Sequence, residues 1–280
     1  MKKYFCPLLL VCITFLYFTS CDKVKPPYKE FQQTHTDTGK VRKILLEEFT
    51  GHLCINCPNA SDLAQQLKTL YGEQLILISI HAGELAEPDP YGTWSYDFRT
   101  NTGDSIYKDF KIGDAIPKGL ISRTNWGTTN FVLDPGNWGS RIETIKNDIP
   151  KASIKIINIY EQTVRNLNSI ILYKALTDLT GTYKLCVYLT EDSIIKPQKI
   201  PSGTNNSYPH RHVLRGALNS TWGDIIFSGN TPANETDMES YSMTLKSGTD
   251  AWNENHCYVV AFIYDAATYE IIQVEEKRVK

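Results

Sequence analysis

The spacing of apolar and polar residues changes near residue 150. Before that point, "VRKILLEEF" and "EQLILISIHAG" are short runs that stay apolar nearly throughout. Continuous apolar runs of strand length belong to strands covered on both faces. Between them, "NASDLAQQLKTLYG" places Leu63, Ala64, Leu67 and Leu70 at helical spacing, with Gly72 as a C-terminal stop. Strand, helix and strand in this order predict a βαβ unit with a parallel sheet. Residues 84–103 are turn-rich and aromatic, and read as a long loop or small insertion lining a site. "DSIYKDFKI" then reads as a short helix, "AIPKGLISR" as a strand with proline near its start, and "TTNFVLD" as a further short strand. "PGNWGSRIETIKND" closes the region as a helix with Trp138, Ile142 and Ile145 on one face.

After Pro150 the period is two. "ASIKIINIYE", "LNSIILYKALTD", "GTYKLCVYLTED", "HVLRGAL", "WGDIIFS", "ESYSMTLK", "CYVVAFIYD" and "YEIIQVEE" are separated by Gly, Asn, Asp and Pro clusters. Short Ile-, Val-, Tyr- and Thr-rich runs without a helical stretch predict an antiparallel sandwich of immunoglobulin-like type. The expected organisation is therefore an α/β domain over 41–149 and an all-β domain over 150–280, with no internal repeat.

The N-terminus follows other rules. Lys2 and Lys3 precede an apolar run from Tyr4 to Phe18, too short for a membrane span and suited to a signal-peptide core. Phe18-Thr19-Ser20-Cys21 looks like the lipobox of bacterial lipoproteins. That resemblance implies removal of residues 1–20 and acylation of Cys21, by palmitate or a similar chain; the alternative is an ordinary secretory peptide cut nearby. Residues 22–40 are polar and proline-containing, and read as a tether from the lipidated Cys21. Fully stretched, such a tether reaches ~60 Å at ~3.3 Å per residue. The expected location is the cell envelope, where disulfides persist.

A formal net charge of −2 and the lack of a basic stripe exclude nucleic acid as an expected partner. Of seven cysteines, Cys6 and Cys12 lie in the signal and Cys21 carries the lipid. Cys54, Cys57, Cys186 and Cys257 remain. Cys54 and Cys57 sit in "EEFTGHLCINCPNA", between the predicted first strand and the helix. A zinc site needs four ligands, and no second CxxC or HxxxH supplies the other two, so no metal is expected. Two readings stay open for the pair, a structural bridge and a working dithiol. With Cys54 opening the helix, unpaired N–H groups and the helix dipole would favour its thiolate, and Cys57 one turn on would resolve a mixed disulfide. Pro58 fits the first helical turn, where its missing N–H has no partner to lose. His52 is a candidate for tuning the thiolate, against a loop histidine with no such contact. His210 and His212 share a face of any strand without an evident third ligand. Arg211 and Arg215 beside them suggest a polar recognition surface. Cys186 and Cys257 read either as a disulfide between neighbouring strands or as two buried thiols.

Residues 41–148 resemble a thioredoxin domain. Cys54 matches the nucleophile, Cys57 the resolving cysteine, and Glu48 the buried acid that handles protons for the resolving thiol. Ile116-Pro117 matches the Ile-Pro whose cis bond faces the dithiol and shapes the partner groove. Leu53, Ile55, Asn56 and Lys118 depart from the thioredoxin pattern. A broader resemblance spans nearly the whole chain. "LLEEFTGHLCINCPNA", "HRHVLRGALNSTWGD" and "HCYVVAFIYD" are similar to the outer-membrane-protein-28-related lipoprotein family of Bacteroidetes. It implies outer-membrane attachment and a CxxC thioredoxin-like domain, with a suggested adhesin or surface-antigen role. The expected activity is thiol–disulfide exchange with extracytoplasmic protein thiols or disulfides, without a cofactor. The alternative is a non-catalytic binding lipoprotein.

Overall fold

In a computed structural model of the chain, residues 41–127 and 130–280 are described. The expectations for the signal peptide, Cys21 and the tether lie outside these residues.

The two apolar runs become strands β1 (Ile44–Thr50) and β2 (Leu75–His81), buried at every position. They pair in parallel from Ile44↔Leu75 to Thr50↔His81. Helix α1 (Cys57–Tyr71) connects them, with Pro58 in its first turn and Gly72 closing it at φ 56°. Ala60, Ala64 and Leu67 face the sheet, whereas Leu70, expected on the same face, is 71% exposed. Helix α2 (Asn101–Asp109) is capped by the Thr100 hydroxyl, which accepts from the Gly103 N–H at 2.9 Å. Strand β3 (Lys118–Ile121) runs antiparallel to β1 on its far side. Of the expected strand over 128–134, residues 128 and 129 lie outside the described residues, and the described part keeps one bridge, Gly119↔Leu133. A Cβ at Gly119 would lie 2.7 Å from Trp138 Nε1, so only glycine lets the indole pack there. Helix α3 (Trp138–Ile145) buries Trp138, Ile142 and Ile145 with α1.

The remaining chain is all strand: β4 (Ala152–Glu161), β5 (Asn166–Ala175), β6 (Leu179–Glu191), β7 (Ile194–Ile200), β8 (Gly203–His210), β9 (Val213–Ala217), β10 (Asp224–Thr231), β11 (Thr236–Thr244), β12 (Cys257–Asp265) and β13 (Ile271–Arg278). The hairpin β7–β8 has no counterpart among the runs picked out by period. Its β7 carries Pro197 in a bulge, and β8 is mostly polar and exposed, so neither alternates cleanly.

An α/β region thus precedes a largely antiparallel β region consistent with a sandwich, as the sequence predicts. One sheet joins them in the order β13-β12-β6-β9-β2-β1-β3. The junction is narrow: Ser79 of β2 pairs with Val213 of β9, and its N–H donates to the His212 carbonyl at 2.8 Å. The long β6 pairs with β12 on one side and with both β9 and β10 on the other. Sheet β11-β5-β4 covers one face of β6 and β12, burying Leu185, Val187, Val259 and Ala261 against Ile154, Ile171 and Tyr173. The opposite face sends Tyr188, Val260 and Phe262 towards Leu45, Phe49, Ile76 and Ile78. Strands buried on both faces explain why "KLCVYL" and "CYVVAFIY" are apolar at every second position and between. Among the described residues, no helix is long and apolar enough to cross a membrane.

Alternation also separates the two remaining thiols. Cys186 lies on the β1–β2 side and Cys257 on the sandwich side. Cys186 stands opposite Phe262, whereas Cys257 stands opposite Glu191, five positions further along β6. At ~3.3 Å per residue the gap is roughly 16 Å, beyond the ~7 Å a disulfide spans. The bridge considered for this pair is therefore corrected to two free, buried thiols. Burial pushes each up to about 12.

Candidate functional site

Strand β1 ends in a turn whose carbonyl at Gly51 accepts the Cys54 N–H at 3.0 Å. A Cβ on Gly51 would lie 2.3 Å from the Leu85 carbonyl oxygen, which accounts for glycine at this close approach. The Leu53 N–H donates to that same Leu85 carbonyl at 3.0 Å. The helix begins at Cys57, about one turn later than expected, with Asn56 at the N-cap position and no side-chain capping bond. Cys54 therefore sits in front of the helix N-terminus rather than within it.

Cys54 and Cys57 form a disulfide with Cα atoms 5.4 Å apart. The two residues are 3% and 1% exposed, while Ile55 and Asn56 between them face solvent. Cys54 Sγ lies 3.7 Å from the Ile116 carbonyl oxygen, beside the cis Ile116–Pro117 bond. The position after Pro117 carries Lys118, whose Nζ reaches Asp134 at 2.5 Å.

Glu48 projects to the α1 side of β1. Ser61 Oγ donates to its Oε1 at 2.7 Å, and Ser79 Oγ to its Oε2 at 3.3 Å. Cys57 and Ser61 are four residues apart on α1 and so share a face. Burial pushes the Glu48 carboxyl up to about 7, against the two serine hydrogen bonds, which favour its charged form. No cationic partner is found for it among the described residues. A cleft of about 240 Å³ opens onto Glu48, with Ser61, Asp62, His81, Tyr208 and Arg211 along its walls.

His52 is engaged elsewhere. Its Nε2 lies 3.1 Å from the Glu87 carbonyl, and its ring stacks on Trp94. Burial lowers its pKa below the ordinary histidine value. A neutral imidazole brings no positive charge to a neighbouring thiolate. His81 stacks on Phe98 and His210 packs tilted against it, each with ring centroids 4.4 Å away, and burial depresses both imidazoles. His210 ends β8 and His212 lies beyond it at φ 52°, so the two histidines do not share a strand face. Arg215 is also not on a recognition surface: it is buried, paired with Glu191 at 2.7 Å and donating to the Tyr96 hydroxyl. Among the described residues, no group of three His, Cys, Asp or Glu side chains is placed to hold a metal ion.

Two contributors escaped the sequence pattern. Ser61 was within reach of it, since it follows Cys57 by one helical repeat. Gln198, whose side-chain amide meets the CxxC turn, lies far along the chain, with no spacing signal to link it.

Comparison with known proteins adds the family. No curated protein matches the chain. The structure of HBP35 of Porphyromonas gingivalis aligns with a TM-score of 0.61 at 16% identity, covering 86% of this chain and 76% of that one. A protein from Agrobacterium tumefaciens aligns with a TM-score of 0.51 at 11% identity, covering 86% of this chain and 96% of that one. A domain of the outer membrane lipoprotein Omp28 from Porphyromonas gingivalis is 19% identical over 47% of this chain and 90% of its own, with a TM-score of 0.34. At these identities the first two likenesses speak to the fold alone. The family model for outer membrane protein Omp28 matches residues 104–280, more than half of the chain. With its thioredoxin-like region and close Cys54–Cys57 pair, this chain belongs to the Omp28 family and has its place in the cell envelope, at the outer membrane.

Proposed function

We propose that this protein is a lipid-anchored thiol–disulfide oxidoreductase acting on extracytoplasmic protein thiols or disulfides. The observation that carries the reading is the Cys54–Cys57 pair together with a buried carboxyl, Glu48, raised to about 7 and bonded to Ser61, one helical repeat after Cys57, and to Ser79. Such a group gives and takes protons near neutral pH.

In the reducing direction, the Cys54 thiolate attacks a partner disulfide, forming a mixed disulfide and releasing one partner thiolate. Glu48 accepts the Cys57 proton, and the Cys57 thiolate attacks Cys54 Sγ. The second partner thiolate leaves, two electrons have passed to the partner, and Cys54–Cys57 is oxidised. The reverse sequence oxidises a partner dithiol. Pro117, the Ile116 carbonyl and the 84–103 loop border the groove in which the partner's sulfur lies. Electrons pass between thiols, so no cofactor takes part. Cys21, after removal of residues 1–20, carries the anchor; more than one acyl chain makes it stable. Cells fed a palmitate analogue would label the wild-type chain but not Cys21→Ala.

The deciding experiment is a thiol-exchange assay of the full chain and its Cys54→Ser variant. Exchange by the wild type that is lost in the variant is expected; equal activity in both would sink the proposal. A second reading, a binding lipoprotein with a structural bridge, is favoured by the near-complete burial of both cysteines. Reduction potentials separate the two. A structural bond falls below about −300 mV, and a working pair lies above it.

A further inference from the structure

The β7–β8 hairpin belongs to the β region but rests on the CxxC turn. Its bulge lies between Lys196 and Gln198, at Pro197. Bulges re-aim side chains, and here the result inverts ordinary patterning. Gln198 is 2% exposed while Ile195 on the same strand is 56% exposed. A polar side chain buried where an isoleucine is left outside needs a specific reason.

That reason is its set of partners. Gln198 Nε2 donates to the Cys54 carbonyl at 3.0 Å and to the Gly51 carbonyl at 3.3 Å, with its own neighbour's carbonyl, Lys199, at 3.1 Å. All three partners are acceptors, so the nitrogen must face them. The Lys199 N–H adds a bond to the His52 carbonyl at 2.8 Å. The turn leading to the first cysteine is therefore held by β7 on one side. On the other, Leu85 and Glu87 meet Leu53 and His52.

We infer that Gln198 is a positioning residue for the dithiol, so that the redox site is completed by a hairpin from the β region. This rests on the thiol-exchange reading above. Holding the Gly51 and Cys54 carbonyls keeps Cys54 beside Cys57 after reduction. Preorganised thiols close their disulfide more readily, as any ring closure does when its ends are held together. Without the amide, two buried carbonyls lose a donor and the turn loosens.

The test compares the full-length wild type with Gln198→Met, which keeps the volume and removes the donors, and with Gln198→Ala. Asn206→Ala, at an exposed position midway along β8, is the control. Each is equilibrated with glutathione, and oxidation of the pair is read by mass spectrometry of the alkylated Cys54 peptide. Loss of one buried hydrogen-bond donor predicts that Gln198→Met disfavours the disulfide by about three- to tenfold, with Gln198→Ala at least as far and Asn206→Ala unchanged. Cys54 of the reduced Gln198→Met chain should also alkylate faster. An equilibrium constant within twofold of wild type in a folded Gln198→Met chain overturns the inference, even if its melting temperature falls. Should Gln198→Ala not fold, Gln198→Met alone decides. Should wild type exchange with no protein thiol, the thiol-exchange reading fails, while the glutathione equilibrium of wild type against Gln198→Met still decides the role of Gln198.

Discussion

Glu47 and Glu48 are consecutive on β1, 0% and 3% exposed, yet the two faces of the strand treat them oppositely. On one face Arg123 takes both Glu47 oxygens, Nη2 at 2.6 Å and Nε at 2.8 Å. Its guanidinium lies over the rings of Phe110, Trp222 and Phe262. Burial works against that charge, but the Glu47 carboxylate outweighs it and holds Arg123 above its ordinary value. On the other face, among the described residues, Glu48 is hydrogen-bonded by the hydroxyls of Ser61 and Ser79 and has no cation. Burial of a carboxyl is thus neutral information. A buried acid with a cation is a fixed ion pair; one with hydroxyls alone titrates near neutrality.

The largest test of this contrast removes a partner. Arg123→Ala leaves Glu47 buried and uncompensated, and should cost about 3–5 kcal/mol of unfolding free energy by denaturant titration. Replacing both, as Glu47→Leu with Arg123→Met, should restore most of it, since buried pairs exchange for packed apolar groups at little net cost. A single variant as stable as wild type would dissolve the contrast.

Glu48 predicts a pH effect instead. Its carboxyl rises from 4.5 to about 7 on folding, so the folded chain holds this proton more tightly than the unfolded one. Stability conferred by the proton is present below about 4.5 and is lost as pH rises to about 7. The full loss is about 3 kcal/mol. Glu48→Gln should remove that slope in denaturation at pH 4 and pH 8, while slowing thiol exchange by about a hundredfold. An unchanged slope would show that Glu48 is not the group concerned.

Smaller changes rank the two hydroxyls. Ser61→Ala, losing the 2.7 Å bond, should move the midpoint of this pH effect upward more than Ser79→Ala, losing the 3.3 Å bond. Equal shifts would mean that the serines do not divide the work by distance. Least of all, Cys186 and Cys257 should stay unalkylated in the native chain while reduced Cys54 reacts. Their thiols, pushed up to about 12, hold only a trace of thiolate at neutral pH.

Much of the α/β region was legible because its signals are local. Apolar runs mark doubly covered strands, Pro58 and Gly72 punctuate α1, and Trp138, Ile142 and Ile145 repeat at helical spacing. The CxxC in its strand-to-helix setting was legible for the same reason. The hairpin β7–β8 was not, since a bulged strand with Pro197 and an exposed polar partner carry no clean alternation. The histidines misled because identity at a spacing does not say what a ring packs against. His210 went to Phe98 and Pro197, and His52 to Trp94 and Glu87.

By itself, the sequence determined β1, α1, β2 and α3 of the α/β region, and that two cysteines stand between a strand and a helix. Those properties depend on neighbours within a few residues, where periodicity and capping act. Only the tertiary structure decided that β9 would extend the sheet beside β2, that Arg123 would take Glu47 and leave Glu48 to hydroxyls, and that Gln198 would reach Cys54. Partners so distant along the chain leave no mark in local pattern, because what chooses them is the packing of whole sheets.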